Sequence, residues 1–187
     1  MRLYALCDQD MLDANNISLV SFIEIAKKNS AEIIQYRNKN GSLELIKEKL
    51  LSIKKLSNAL LIVNDKYELV QYCDGVHMGQ EDLRAVDSDI FEASKRIREY
   101  IGKDKYFGIS THNKEEILEA NGMDLDYIGL GAYRDTSTKK DIATLLGDKL
   151  DSIASYSKHK VAVIGGVKMD DSFENITYHV IGSGLLR

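Results

Sequence analysis

Apolar and polar positions along this chain fall into short blocks that repeat. Apolar runs too brief for a helix recur at residues 3–7, 32–39, 60–63, 76–79, 106–112, 126–131, 160–164 and 178–181. Each ends in polar residues or glycine, which is the signature of a strand closed by a functional or turning loop. Most gaps carry helical periodicity. Ser18 is placed to cap a helix bearing Val20, Phe22, Ile23 and Ile25, and Ser42 one bearing Leu43, Leu45, Ile46, Leu50, Leu51 and Ile53. Glu68, Leu69 and Val70 start a short helical pattern, residues 91–101 an amphipathic one, and Asn113 caps a helix through Ile117 and Leu118. A further helix is expected over roughly residues 142–156.

Eight strand–helix alternations, spaced by roughly 15–30 residues, fit a closed (β/α)8 TIM barrel better than an open doubly wound sheet. The fold class is therefore α/β, a compact barrel over residues 1–187 as a single domain, with its final helix missing or truncated. That truncation leaves Tyr178, Val180, Ile181, Val20 and Ile23 facing an open seam. Either Leu185 and Leu186 fold back over it, or a second copy of the chain covers it as a homodimer.

Composition narrows the function classes. A net charge of −4 provides no global basic field for nucleic acid, and the tyrosines have no regular spacing for base stacking. No apolar run is long enough to span a bilayer, the chain opens on a strand-like segment instead of a signal peptide, and the expected compartment is cytoplasmic. Cys7 and Cys73 lack metal-site spacing and read as reduced, partly buried thiols.

In a (β/α)8 barrel the chemistry sits at the carboxyl ends of the strands. Those ends carry Gln35, Arg37 and Lys39, which would share one face of a strand, then Asn64 and Asp65, Gln80 and Asp82, and Ser110 and His112. They continue with Thr136, Thr138 and Lys139, with Gly165-Gly166, and with Gly182-Ser183-Gly184. A right-handed βαβ unit brings Asp65 and Asp82 to one rim, where a cation would relieve their repulsion. Asn64-Asp65 also serves as ordinary loop punctuation, so the pair alone leaves both readings open. The two glycine segments follow the last two strands, where backbone N–H groups can cradle a phosphate. Arg37 and Lys39 with the Thr136–Lys139 segment form a second basic cluster. Two anion sites, one beside a carboxylate pair suited to Mg2+, imply two phosphorylated substrates. His77 reads as a hydrogen-bonded core residue, and His112 as a cap or supporting residue.

These motifs, in this order, resemble the thiamine phosphate synthase family. The resemblance rests on Leu3-Tyr4, Gln35-x-Arg37-x-Lys39, Val63-Asn64-Asp65-Lys66 and the run from Asp74 through Gly75-Val76-His77-Met78-Gly79-Gln80-Glu81 to Asp82. Ser110-Thr111-His112, Asp126-Tyr127-Ile128-Gly129-Leu130-Gly131, Thr136-Ser137-Thr138-Lys139 and Ile164-Gly165-Gly166-Val167 extend it over nearly the whole chain. The resemblance implies a transferase of thiamine biosynthesis. It would join hydroxymethylpyrimidine diphosphate to a thiazole phosphate and release pyrophosphate. By position, Asp65 and Asp82 would hold Mg2+. Arg37, Lys39, Asn64 and Lys139 would hold the diphosphate, and Gln35 and Ser110 the pyrimidine. Thr136, Thr138, Gly166 and Ser183 would hold the thiazole phosphate. Arg37, Lys39, Ser110 and Lys139 would serve the chemistry directly.

Three features depart from the family pattern. Ala132 stands where the family commonly has proline, the region after Gly166 is short, and the last helix is missing; all three fall on the thiazole-phosphate side. A thiazole tautomerase, which needs no Mg2+-diphosphate clamp, and a non-catalytic barrel binding a phosphorylated ligand are the competing readings.

Overall fold

The computed structural model describes residues 2–135 and 145–186. Eight parallel strands close into a barrel in chain order: β1 (Leu3–Asp8), β2 (Ile33–Arg37), β3 (Leu60–Asn64), β4 (Gly75–Met78), β5 (Tyr106–Thr111), β6 (Tyr127–Leu130), β7 (Lys160–Val163) and β8 (Tyr178–Ile181). Strand β8 pairs with β1 through Tyr4 and Val180, which removes both sheet edges. The α/β barrel class read from the sequence is the one observed.

Successive strand residues face opposite sides, so each strand feeds two cores. Tyr4, Leu6, Ile33, Ile62, Tyr127, Ala162, Tyr178 and Val180 fill the barrel. The complementary residues, among them Ala5, Ile34, Val63, Phe107, Ile128 and Ile181, pack under the helices in a larger outer core. This alternation corrects one expectation. Tyr178 and Val180 point into the barrel and not toward a seam; of the seam residues on β8, only Ile181 faces outward.

The outer layer consists of α1 (Gln9–Ala14), α2 (Leu19–Lys28), α3 (Leu43–Leu56), α4 (Gln80–Val86), α5 (Ile90–Ile101), α6 (Lys114–Ala120) and α7 (Leu150–Ala154). Ser18, Ser42 and Asn113 accept the N–H of Ser21, Leu45 and Glu116 at 3.0, 3.2 and 2.8 Å, the three caps expected from the sequence. Each such cap contributes about 1 kcal/mol. The connection from β3 to β4 is too short for a full α-helix and winds as a 3-10 helix over Tyr67–Tyr72. The helix expected over residues 142–156 is, among the described residues, a 3-10 turn (Gly147–Lys149) leading into α7. Helices α1 and α4 were not anticipated.

After β8 the chain makes a 3-10 turn, Ser183–Leu186, that rests against α2. Leu185 is buried there with Ile23 and Ile181, so the seam is filled from within the chain, while Val20 stays exposed. No described helix is long and apolar enough to cross a membrane. Cys7 and Cys73 are buried and form no disulfide.

At the amino end of the barrel two carboxylates tie neighbouring strands. Asp74 accepts the Leu61 N–H at 2.8 Å, and Asp126 accepts that of Phe107 at 2.8 Å. Arg98, only 8% exposed, sends its guanidinium to Asp126 at 2.8 Å and to the carbonyls of Asp124 and Lys105 at 3.1 and 2.7 Å. A buried charge is tolerated when its donors are used in this way.

Candidate active site at the carboxyl rim

Inward alternation delivers Gln35 and Arg37 from β2, Asn64 from β3, His77 from β4 and Ser110 from β5 to the mouth of one barrel. Register sets Arg37 beside Asp8, and the two form an ion pair; Asp8 also caps α1 by accepting the Met11 N–H at 3.0 Å. Strand β2 ends at Arg37. Lys39 is therefore an exposed loop residue, and the expectation that it shares a strand face with Gln35 and Arg37 does not hold.

Asp65 leaves β3 in the left-handed region, φ 61°, a conformation that Asp and Asn tolerate better than most residues. Its Oδ1 accepts the Gly79 N–H at 2.9 Å, and its Oδ2 accepts from the Asn64 amide. Gly79 also starts α4, whose first turn carries Asp82. The two carboxylates thus converge on either side of Gly79, as the βαβ argument required. Burial, with the Asp82 charge adding to it, pushes the Asp65 carboxyl up to about 6, despite the Gly79 N–H and Arg37.

A hydrogen-bonded chain crosses the barrel beneath this rim. Tyr4 donates to Gln35 Oε1 at 2.8 Å, and Gln35 Nε2 donates to Asn64 Oδ1 at 2.6 Å. Tyr4 and Tyr127 share a hydrogen bond of 2.9 Å. His77 joins Tyr127 to Ser110 through its two nitrogens, at 2.9 and 3.0 Å. His77 is hydrogen-bonded, as expected, but it stands half-buried at the mouth and not in the closed core. Asn113, not His112, is the cap of α6, and the His112 N–H and ring are held by Glu116 at 2.8 and 3.0 Å.

On the opposite side, Gly166 has φ 63°, and a β-carbon there would meet Arg134 Cβ at 2.8 Å and the Asp135 carbonyl at 2.9 Å. Only glycine suits that position. Arg134 grips Asp171 at 2.7 and 2.8 Å and reaches the Gly166 carbonyl at 3.2 Å, binding the segment after β7 to the one after β6. Ser183 opens the turn after β8, half-buried on the same rim. The Gly131–Ala132 peptide is cis. Thr136, Thr138 and Lys139 lie outside the described residues. Among the described residues no three His, Cys, Asp or Glu side chains converge as a metal cage.

The sequence reading missed Asp8 as the partner of Arg37, the Arg134–Asp171 pair, and Tyr4 and Tyr127 as members of the polar chain. Inward alternation on β1 and β6 was the available signal for the tyrosines. The long-range ion pairs had none.

Fold and rim put the chain among the (β/α)8 barrels that work at the carboxyl ends of their strands. It belongs to the thiamine monophosphate synthase family, whose model matches residues 3–183. It is 38% identical over 185 residues to the thiamine-phosphate synthase of Lawsonia intracellularis, covering 94% of this chain and 79% of that one. With the thiamine-phosphate synthase of Clostridium acetobutylicum it shares 33% identity over 99% of this chain and 85% of the other. Among solved structures, the thiamine phosphate pyrophosphorylase of Pyrococcus furiosus superposes with a TM-score of 0.78 at 25% identity, covering 97% and 85% of the two chains. A tryptophan synthase alpha-subunit at 12% identity and TM-score 0.67 shares the fold.

Proposed function

We propose that this chain forms thiamine phosphate from hydroxymethylpyrimidine diphosphate and a thiazole phosphate, releasing pyrophosphate. Family membership supports the reaction. The observation that carries the site is the pairing of Asp65 with Asp82 beside the Gln35–Ser110 mouth, with a glycine-lined rim opposite. Asp65 and Asp82 would hold Mg2+, which takes few carboxylates and completes its shell with water and phosphate oxygens. A buried carboxylate whose pKa is pushed up by burial and by a second carboxylate beside it suits such an ion better than it suits a structural ion pair. Bound there, Mg2+ would supply positive charge to the leaving diphosphate.

Arg37, Lys39, Asn64 and Lys139 would bind the diphosphate, with Gln35 and Ser110 orienting the pyrimidine. Thr136, Thr138, Gly166 and Ser183 would bind the thiazole phosphate. In the reaction the bond from the pyrimidine methylene to the diphosphate oxygen breaks, its electron pair leaving with pyrophosphate. The thiazole nitrogen then gives its lone pair to the methylene carbon. No protein nucleophile is needed; the work is orientation and charge neutralisation. The retained carboxylate pair favours this reading over a tautomerase or a binding-only barrel.

Pyrophosphate release is to be followed by a coupled assay while Mg2+ is titrated against a chelator. Release that needs both substrates and saturates with Mg2+ is expected. Thiazole isomerisation that is indifferent to Mg2+ would instead assign the tautomerase reaction.

A further inference from the structure

Residues 164–177, between β7 and β8, contain no helix and run as a strap from the carboxyl rim to the opposite end of the barrel. Side chains and backbone tie it down. Gly165 accepts the Arg134 N–H at 2.9 Å, and Arg134 pairs with Asp171. Asp171 also accepts the Lys168 N–H at 2.8 Å, and Asp151 of α7 accepts the N–H groups of Glu174 and Asn175 at 3.0 and 2.9 Å. Gly166 belongs to the same strap, so the seating of the strap sets where Gly166 stands on the rim.

His179 lies beneath it. Tyr178 and Val180 point into the barrel, so His179 between them faces outward. It is 4% exposed and meets the Phe173 ring edge-on at 5.2 Å, and Phe173 in turn meets Tyr133 at 5.1 Å. His179 Nδ1 is the one buried side-chain nitrogen or oxygen among the described residues with no hydrogen-bond partner. An unpaired buried polar atom costs stability that an apolar side chain in the same place would not. The protonated ring fits worse still, since both nitrogens then carry protons and the one on Nδ1 faces no acceptor. Burial and the amino-terminal charge disfavour that form more than Asp171 and the Lys168 backbone favour it, which holds the ring below its ordinary value of 6.5. Asp171 is already gripped by Arg134 at 2.7 and 2.8 Å. The strand neighbours of His179, Leu3 on β1 and Val163 on β7, are uncharged.

We propose that His179 is a positioning residue for the thiazole-phosphate side: its neutral ring seats the strap, and its protonation lifts the strap together with the Gly166 segment, weakening phosphate binding in acid. The inference rests on the proposed function, since it takes the thiazole phosphate to bind at Gly166. An opened strap exposes the ring to water, where it titrates at the ordinary histidine value. The open form therefore takes up the proton first, and opening gains on closure as pH falls through about 6.5.

The test is calorimetric binding of the thiazole phosphate and of hydroxymethylpyrimidine diphosphate, with Mg2+ present, at about pH 8 and about pH 5.5. Wild type is compared with His179→Leu, which keeps a side chain beneath the strap and cannot titrate. Each substrate's own titration is common to both proteins, so only the difference between them counts. On acidification the wild type should lose about 3–10-fold more affinity for the thiazole phosphate than the variant loses, because one protonation a pH unit below the ordinary value supplies at most about tenfold. The diphosphate should lose equally in both. Equal losses for the thiazole phosphate overturn the inference and leave the functional reading standing, as does a matching difference for the diphosphate. A thiazole phosphate that binds neither protein at either pH overturns the functional reading and the inference with it. Nitrogen NMR of the unmodified protein gives a second readout that needs no variant to fold. By reciprocity, saturating thiazole phosphate should lower the titration midpoint of His179 by about 0.5–1 pH unit. An anion acting by charge alone would raise it. A midpoint that stays or rises overturns the proposal.

Discussion

Asp65 and Asp82 face each other across Gly79: a β-carbon on that glycine would stand 3.6 Å from Asp65 Oδ1 and 2.9 Å from Asp82 Oδ2. Like charges so placed repel, and the arrangement is maintained by backbone, since Gly79 both donates to Asp65 and starts the helix that carries Asp82. Asp82→Asn keeps the helix and removes one charge. Turnover should fall by about 10²–10³, the usual loss for one preorganised electrostatic group, while far-UV circular dichroism stays unchanged. Near-normal turnover would remove Asp82 from the site.

The same burial gives a pH dependence. The Asp65 carboxyl lies at about 6 in the folded protein against an ordinary value of 3.8. Below about pH 4 it is protonated in folded and unfolded chains alike, and folding stability is unaffected. As pH rises through about 4 to 6 the unfolded chain releases its proton first, so ionising Asp65 costs the metal-free fold stability, and that penalty is complete above the window. Asp65→Asn mimics the protonated form and tolerates the left-handed backbone. Its Tm should exceed that of the wild type near pH 8 by a few degrees, at roughly 2–4 °C per kcal/mol. The difference should vanish near about pH 4. A constant difference across the range would mean that Asp65 is not the titrating group.

Arg134 offers a separate handle on the opposite side of the rim. Arg134→Leu removes both bonds to Asp171 and the one to the Gly166 carbonyl. The pair is half-exposed, so stability should fall by no more than about 1 kcal/mol. The KM for the thiazole phosphate should rise about tenfold, equivalent to about 1.4 kcal/mol, with the KM for the pyrimidine diphosphate unchanged. Equal increases for both substrates would refute the division of the rim.

Much of this fold was legible because barrels alternate so regularly. Apolar runs ending in Asn64-Asp65, Ser110 or Gly165-Gly166 located the strands and the rim together, and Ser18, Ser42 and Asn113 located helix starts. What stayed hidden depends on partners distant in sequence. Asp8 closes β1, and only parallel register brings it to Arg37. Helix α4 begins inside the polar motif that closes β4, so the strand exit masks the helix start. Above all, Asp65 and Asp126 sit in motifs of similar look, an aspartate next to a strand, but at opposite ends of the barrel. Only strand direction tells a rim carboxylate from a structural one.

That distinction predicts contrasting variants. Asp126→Ala strands the Phe107 N–H and part of the Arg98 guanidinium. Stability to urea should fall by about 2–4 kcal/mol, as when one partner of a buried polar network is deleted. KM for both substrates should stay unchanged in the folded fraction. A large KM change with intact stability would show that Asp126 belongs to the site after all.

The central claim is that one rim joins two phosphorylated substrates. Phosphorus NMR of the purified chain with hydroxymethylpyrimidine diphosphate, thiazole phosphate and Mg2+ tests it most directly. Pyrophosphate and thiamine phosphate should grow in one-to-one proportion and stop together when a chelator is added. A diphosphate signal that persists unchanged while the thiazole phosphate isomerises, or while nothing is converted, would contradict it.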